Sequence, residues 1–178
     1  MVQNLRLVGS KTLTSVDSDV TANFTLTAHN GGTWCWDQNA TCYNKSMVYY
    51  TGNVNYGSYY NWYAVTAGTG TYELATGDTS SSICPKGWRL PGSGGNGSFL
   101  ALFGFYPSSG LMRGAPMFQL SGYRGDSNNY EQGIGGTYWT RSGYNNTNAT
   151  YMGINVSVIS PSAPNVKSYG FGARCLSR

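Results

Sequence analysis

Glycine divides this chain into short segments. The 178 residues include 25 glycines, and even the longest apolar stretches, such as Phe99–Phe105, cover only a few positions. That stretch follows Ser98, a residue type that caps helices, and it predicts a helix over residues 98–104. Because the other apolar residues alternate with polar ones or stand between glycine turns, the sequence predicts an α+β, β-dominated fold. We expect short strands, long loops and one or two short helices.

The predicted strands lie towards both ends of the chain. Near the N-terminus they centre on residues 5–7 and 24–26, on either side of a helical turn at 14–17 that is spaced like a capping box. Residues 66–82, rich in Thr, Gly and Ser, are predicted to form a loop. The C-terminal strands are expected at residues 118–120, 137–139, 151–156 and 169–175. We find neither an internal repeat nor a linker, so residues 1–178 are predicted to form one domain.

The scattered charges and the short apolar stretches of the chain exclude two classes of partner. Charged residues make up 10% of the sequence, and the 11 basic residues stand singly rather than in a stripe. Nucleic-acid binding needs a concentrated basic surface, so we expect no nucleic-acid partner. No apolar stretch is long enough to cross a bilayer, so we expect no direct membrane insertion. The domain is predicted to be monomeric.

The cysteines indicate the compartment. Cys35, Cys42, Cys84 and Cys175 form no C-x-x-C pair, and His29 is the only histidine, so we expect no metal site and no cofactor. Six residues separate Cys35 from Cys42, which can close a local disulfide loop and leave Cys84 to pair with Cys175. Disulfides favour an extracellular or cell-surface location, with a targeting segment preceding this sequence. The alternative is four reduced, buried thiols in a cytosolic protein.

No group of residues indicates catalysis. His29 lies in a glycine turn with no nucleophile near it in sequence, and nothing singles out a facing pair among the seven acidic residues. Asp17 and Asp19 are better explained as part of a capped turn than as calcium ligands, because the EF-hand pattern is missing. The glycine-rich residues 92–97 lack the Lys-Ser or Lys-Thr of a phosphate loop. The sequence therefore predicts a protein that is not an enzyme.

Residues 121–151 carry the strongest functional indication. They consist largely of Tyr, Ser, Gly, Asn and Thr, the residue types that antibody loops use for contact area and adaptable hydrogen bonds. The alternative is an exposed loop region that contacts nothing, but such loops rarely need so many aromatic rings. The predicted ligand contacts are Tyr123, Arg124, Asp126, Asn128, Asn129, Tyr130, Arg141, Tyr144, Asn145, Asn146 and Asn148.

Several short motifs occur in an order that resembles a known bacterial family. They are Gln3-Asn4-Leu5-Arg6-Leu7, Tyr60-Asn61-Trp62-Tyr63-Ala64, Cys84-Pro85-Lys86-Gly87-Trp88-Arg89-Leu90-Pro91, Ser121-Gly122-Tyr123-Arg124, Tyr138-Trp139-Thr140-Arg141-Ser142 and Gly170-Phe171-Gly172-Ala173-Arg174-Cys175. Across nearly the whole chain this order is similar to the Fibrobacter succinogenes major paralogous domain. The resemblance implies a C-type lectin-like fold of the formylglycine-generating-enzyme type, secreted or surface-displayed, with Trp62, Trp88 and Trp139 largely buried.

The resemblance also implies a function. Related folds serve as variable, ligand-binding proteins that retroelements diversify near the C-terminus. Here Thr140-Arg141 stands where the family commonly has two serines, and Gly172-Ala173 where it has Ser-Val. The calcium-dependent sugar motifs of animal lectins and the cysteine pair of formylglycine-generating enzymes are not matched. We therefore expect a receptor or adhesin for a protein or glycan on another cell or phage surface; the alternative is a structural cell-envelope domain without a specific ligand.

Overall fold

The structure is a computed structural model that describes residues 57–71, 74–114, 118–125 and 128–177, together with the backbone of three N-terminal strands. Its strands are β1 (Lys11–Leu13), β2 (Phe24–Ala28), β3 (Val48–Tyr50), β4 (Tyr59–Tyr60), β5 (Gly77–Asp78), β6 (Trp88–Arg89), β7 (Tyr123–Arg124), β8 (Asn129–Tyr130), β9 (Gly135–Gly143), β10 (Asn148–Asn155), β11 (Ile159–Val166) and β12 (Leu176–Ser177). Its helices are α1 (Trp62–Val65), α2 (Phe99–Phe105) and α3 (Ser109–Gly114). The predicted β-dominated α+β class is confirmed. The three short helices within the described residues exceed the one or two that were expected.

Two four-stranded sheets organise the described part of the chain. The larger sheet has the order β11-β10-β9-β5, and every neighbouring pair in it is antiparallel. The N-terminal sheet has the order β1-β2-β3-β4, in which β2 and β3 are parallel. The pairs β6–β12 and β7–β8 form two small ribbons. The long β9–β10 hairpin is the element to which most other segments attach.

One face of the β9–β10 hairpin carries the larger hydrophobic cluster. Trp139 stacks on Phe171 with 4.2 Å between ring centroids, and both side chains are fully buried. The indole of Trp139 donates to the carbonyl of Tyr60 at 2.8 Å, and the indole of Trp62 donates to the carbonyl of Thr140 at 2.9 Å. The expected burial of Trp62 and Trp139 is therefore confirmed. Trp88 is only partly buried, because it lies in the two-stranded ribbon at the margin of this cluster.

The opposite face of the hairpin packs against the predicted helix. Successive side chains of a strand point to opposite faces, so Tyr138 and Met152 lie on the other side from Trp139. They form a second cluster with Phe99 of α2 and Phe118, whose ring meets that of Tyr138 at 5.0 Å. The helix begins as predicted, since the Ser98 hydroxyl accepts a hydrogen bond from the Ala101 amide at 3.0 Å. The prediction of a capped helix packed on the sheet is confirmed.

The Cys84–Cys175 disulfide is present, with 5.8 Å between the two Cα atoms. It stands beside the β6–β12 ribbon, in which Arg89 pairs with Leu176. The middle of the chain is thereby held to its last strand both covalently and by main-chain pairing. The predicted Cys35–Cys42 bridge lies outside the described residues.

Two buried cations supplement the apolar core. The Lys167 ammonium is fully buried and donates to the carbonyls of Thr71 and Leu74 at 2.9 and 3.0 Å, while lying 4.7 Å from the Trp62 ring centroid. The Arg174 guanidinium lies 4.8 Å above the Phe118 ring. Burial lowers the pKa of this guanidinium, and the nearby phenol of Tyr138 acts in the opposite direction. The two hydrogen bonds of Lys167 thus order the loop that follows α1, whereas Arg174 packs on an aromatic ring.

The structure corrects several strand predictions. Residues 137–139 and 151–155 lie in β9 and β10 as expected, and residues 24–26 lie in β2. Residues 118–120 form no strand, and residues 170–172 make isolated bridges rather than a continuous strand. No strand was predicted at β11, which contains Pro161 and Pro164; both are tolerated because β11 is an edge strand with a bulge near Pro161. The expected strand at 5–7 and turn at 14–17 lie outside the described residues.

Removing the Cys84–Cys175 bridge tests its structural role. Because the bridge spans a sequence separation of 91, the double replacement Cys84→Ala/Cys175→Ala should lower the free energy of unfolding by about 2–5 kcal/mol. Urea unfolding without reductant measures this change and leaves any other bridge intact. Ser177→Ala, in the same ribbon, is the matched control and should have little effect. A loss below about 1 kcal/mol would mean that the bridge constrains the unfolded chain much less than its span implies.

Candidate functional site

The β7–β8 ribbon, with Asn128 directly before β8, carries five of the eleven predicted contact residues. Tyr123 pairs with Tyr130, and Arg124 pairs with Asn129. Asn128, Asn129 and Tyr130 are exposed, whereas Tyr123 and Arg124 are half-buried. The structure therefore brings five of the predicted residues together on one short ribbon. Asp126 lies outside the described residues.

Three tyrosines of this region form a stack, which we call the tyrosine stack: Tyr130, Tyr123 and Tyr169. The rings of Tyr130 and Tyr123 are 5.3 Å apart and inclined by 22°, and those of Tyr123 and Tyr169 are 6.2 Å apart and inclined by 12°. Tyr123 also meets the buried ring of Phe171 edge-on at 5.9 Å. Tyr130 is the most exposed member, so the stack runs from the surface to the core.

A glycine makes the tyrosine stack possible. Gly125 is buried beneath the Tyr130 ring, and a Cβ at this position would lie 2.8 Å from Cε2 of Tyr130. Any larger residue would therefore push that ring away from Tyr123.

Tyr169 was missed as a site residue because its segment was assigned to a strand. A contact between residues 123 and 169 leaves no local signal in the sequence.

The tip of the β9–β10 hairpin carries the second group of predicted residues. Tyr144 is 53% exposed, and Asn146 is exposed beside it. Asn145 has a structural role, because its side-chain oxygen accepts hydrogen bonds from the amides of Thr147 and Asn148 at 2.9 and 2.7 Å. Tyr144 and Asn146 are thus the members of this group that present side chains to solvent, on a turn that Asn145 fixes.

One segment connects the two groups. The amide of Lys167 donates to the carbonyl of Thr147 at the hairpin tip, at 2.9 Å. Three residues later, Gly170 exchanges two main-chain hydrogen bonds with Arg124 of β7, at 2.7 and 2.8 Å. The tyrosine stack and the hairpin tip therefore border the same short segment, residues 167–170.

Arg141 occupies a different environment from the other predicted residues. Its Nη2 atom forms an ion pair with Oδ2 of Asp78 at 2.8 Å, and both side chains are partly exposed. The other oxygen of Asp78 accepts a hydrogen bond from the Ser142 hydroxyl, which in turn accepts from the Ser93 amide at 2.9 Å. This polar cluster holds β5 and the 91–97 loop to β9. A ligand that used Arg141 would have to compete with Asp78.

A shallow depression of about 260 Å³ opens on the Trp139 face of the sheet, next to β8. Its lining includes Glu131, Tyr151, Gly153, Asn155, Val158 and Ser160, none of which was predicted as a site residue. Burial raises the pKa of the Tyr151 phenol, and the negative charge of Glu131 raises it further. These residues come from β10, β11, the turn between those strands and the turn after β8, so only the fold brings them together.

The described residues contain no group of three or more His, Cys, Asp and Glu side chains placed to hold a metal ion. No helix within the described ranges is both long and apolar enough to cross a membrane. Comparison of the chain with protein-family models, with curated proteins and with solved structures gave no significant match in any of the three.

The Arg141–Asp78 ion pair should contribute little to stability. Partly exposed pairs are typically worth about 0.2–1 kcal/mol, so a double-mutant cycle of Arg141→Ala and Asp78→Ala should give a coupling energy in that range. Urea unfolding of the four proteins measures it. Arg113→Ala, an exposed arginine on α3, replaces Arg141→Ala in the control cycle and should not couple to Asp78. A coupling above about 2 kcal/mol would show that the pair is a major support of the sheet.

The phenol of Tyr151 should titrate above the ordinary tyrosine value of about 10. Glu131→Gln removes the smaller of the two causes and should lower the pKa of Tyr151 without restoring the ordinary value. Because the folded-state pKa is raised, this group's contribution to stability is present below about pH 10 and is lost as the pH rises further. NMR of ¹³Cζ-labelled tyrosine, with Tyr151→Phe to assign the resonance, measures the titration. A Tyr151 resonance that titrates at or below pH 10 would contradict the prediction.

Proposed function

We propose that this chain is an extracellular, non-enzymatic ligand-binding domain with a C-type lectin-like fold. It contacts a protein or glycan on another cell or phage surface through the tyrosine stack and the tip of the β9–β10 hairpin. The observation that carries the proposal is the tyrosine stack, in which an exposed ring is held on two partly buried ones that rest on the core.

The tyrosine stack has the physical properties of a binding surface. Ordering a flexible side chain on binding costs about 0.5–1.5 kcal/mol, which weakens affinity. Tyr130 avoids part of this cost because its ring already lies 5.3 Å from that of Tyr123, which in turn meets the buried Phe171. Rigid tyrosines with adaptable amides beside them are the combination used by antibody loops. The exposed Asn128 and Asn129 supply such amides.

The hairpin tip extends this surface. Tyr144 and Asn146 project from a turn that the Asn145 side chain stabilises. Because residues 167–170 border both groups, a broad ligand can contact the tip and the tyrosine stack together. The resulting site is wide and shallow, which suits a protein surface or an extended glycan better than a small buried molecule.

Two observations support the proposed fold and location. The two cysteine-containing motifs of the family resemblance meet in space, since Cys84 is bonded to Cys175 and Trp88 pairs with Ser177. The Tyr138-Trp139 motif lies at the centre of the larger sheet, as expected of a scaffold motif rather than a contact. The disulfide is compatible with an oxidising, extracellular location.

The proposal predicts an uneven response to alanine substitution. Against a ligand selected from a glycan array or a displayed bacterial and phage protein library, Tyr130→Ala and Tyr144→Ala should each weaken binding by about 1–3 kcal/mol, or roughly five- to 150-fold. Asn146→Ala should cost much less. Surface plasmon resonance with the disulfide-intact domain measures the affinities, and thermal unfolding checks that each variant remains folded.

Phe105→Ala is the matched control. Phe105 is an exposed aromatic residue on α2, which packs on the opposite face of the sheet from Trp139, so its removal should leave the affinity unchanged. Loss of binding in this control but not in the two tyrosine variants would place the site elsewhere. A domain that captures no ligand from either source would favour a structural cell-envelope role.

A further inference from the structure

The depression beside β8 exists because two neighbouring strands lack side chains there. Gly153 of β10 is part of its lining, and a Cβ at this position would lie 3.2 Å from the Tyr151 ring. Gly135 of β9 lies opposite Asn155, and a Cβ there would come within 2.7 Å of Oε2 of Glu131. The Glu131 carboxylate therefore occupies the space that a side chain at position 135 would take.

The backbone positions this carboxylate. Glu131 has a φ of 57°, in the left-handed region that non-glycine residues adopt at a cost. Its carbonyl accepts hydrogen bonds from the amides of Ile134 and Gly135, each at 2.9 Å, which fixes the turn after β8. This turn places the exposed Glu131 side chain over Gly135 of β9.

The charge of the depression is not balanced by its lining. Among the described residues, the lining contains Glu131 and no lysine, arginine or histidine. The field of Glu131 reaches the phenol of Tyr151, whose pKa it raises. The depression is therefore a local negative site on a chain whose formal net charge is +4. It favours a cation over an anion.

The lining of the depression also includes an exposed aliphatic side chain. Val158 belongs to the lining and is 57% exposed, and Val156 in the same turn is 60% exposed. On the side of Glu131, Ile134 is 66% exposed. A carboxylate, a phenol and an exposed aliphatic side chain in one lining match a long amphipathic guest, whose apolar stem packs on Val158 while its charged end reaches Glu131.

We propose that this depression receives a lysine or arginine side chain of a protein ligand, with the cationic group at Glu131 and Tyr151 and the aliphatic stem along Val158. This inference rests on the proposed binding function and specifies its partner as a protein with a protruding basic residue, not a neutral glycan. The volume of about 260 Å³ lies below the range of roughly 300–1,000 Å³ typical of sites for whole small molecules, and it suits a single side chain.

The test uses small probes on the disulfide-intact ¹⁵N-labelled domain. Nα-acetyl-lysine-methylamide should shift the amide resonances of Gly135, Gly153 and Ser160, with a dissociation constant on the order of 100 mM, because a single exposed ionic contact is weak. The neutral analogue acetylated at Nε should cause at most a tenth of that shift. Equal shifts from both probes, or none from the lysine probe at about 100 mM, would overturn the proposal.

Two variants test the site by different routes. Glu131→Gln removes the charge and should abolish the lysine-dependent shifts, while Gly153→Ala keeps the charge but narrows the depression beside the Tyr151 ring and should weaken them at least fivefold. If either variant fails to fold, the other still decides the matter. A lysine response that persists in the folded variant would overturn the proposal, as would a methyl glycoside that shifts the same amides more strongly than lysine does.

The two proposals fail in distinguishable ways. Tyr130→Ala should leave the lysine probe's shifts at Gly153 and Ser160 intact while it weakens binding of the selected ligand. If the lysine probe has no effect but Tyr130→Ala still weakens that ligand, only the assignment of the depression is wrong. If the probe binds at the depression but neither tyrosine variant affects the selected ligand, the tyrosine stack is not the contact surface.

Discussion

The stacking of Trp139 on Phe171 is the contact on which the rest of the described structure depends. Trp139 lies at the centre of the β9–β10 hairpin, and its indole N–H binds the carbonyl of Tyr60 in the N-terminal sheet. Phe171 in turn supports Tyr123 and the tyrosine stack. One pair of rings thus connects the two large sheets to the surface that we propose as the contact site. Bulky rings with polar edges are suited to this role, because they fill space and also satisfy buried carbonyls.

Buried polar groups hold the segments that the rings do not reach. The chain has few charges, yet Lys167 lies at full burial, where its ammonium satisfies two carbonyls of the loop after α1. Removing such a group from water is favourable only when its hydrogen bonds are replaced, and the Trp62 ring beneath it adds a further attraction. The loop after α1 is therefore ordered by hydrogen bonds to one long side chain.

What the sequence could predict depended on whether the signal was local. Ser98 before an apolar run specified α2, and an aromatic segment between glycine turns specified part of β9, because both signals lie within a few residues. β11 was not predicted, since its place at the edge of the sheet, where its prolines are tolerated, is a property of the whole sheet. The same difference holds for the candidate surface. Composition indicated Tyr123 and Tyr130 as contact residues, whereas Tyr169 and the Glu131–Tyr151 depression arise from contacts between distant segments. Burial of Lys167 could not be anticipated either, because its partners lie more than ninety positions away.

The edges of the larger sheet determine whether neighbouring copies of the chain can pair through it. An exposed sheet edge is a template on which a second chain can add a strand, the first step of ordered aggregation. Here one edge, β11, contains Pro161 and Pro164, and the opposite edge, β5, is only two residues long. Neither edge offers a continuous row of main-chain donors and acceptors. Neighbouring copies of the chain therefore find no continuous edge of this sheet on which to add a strand.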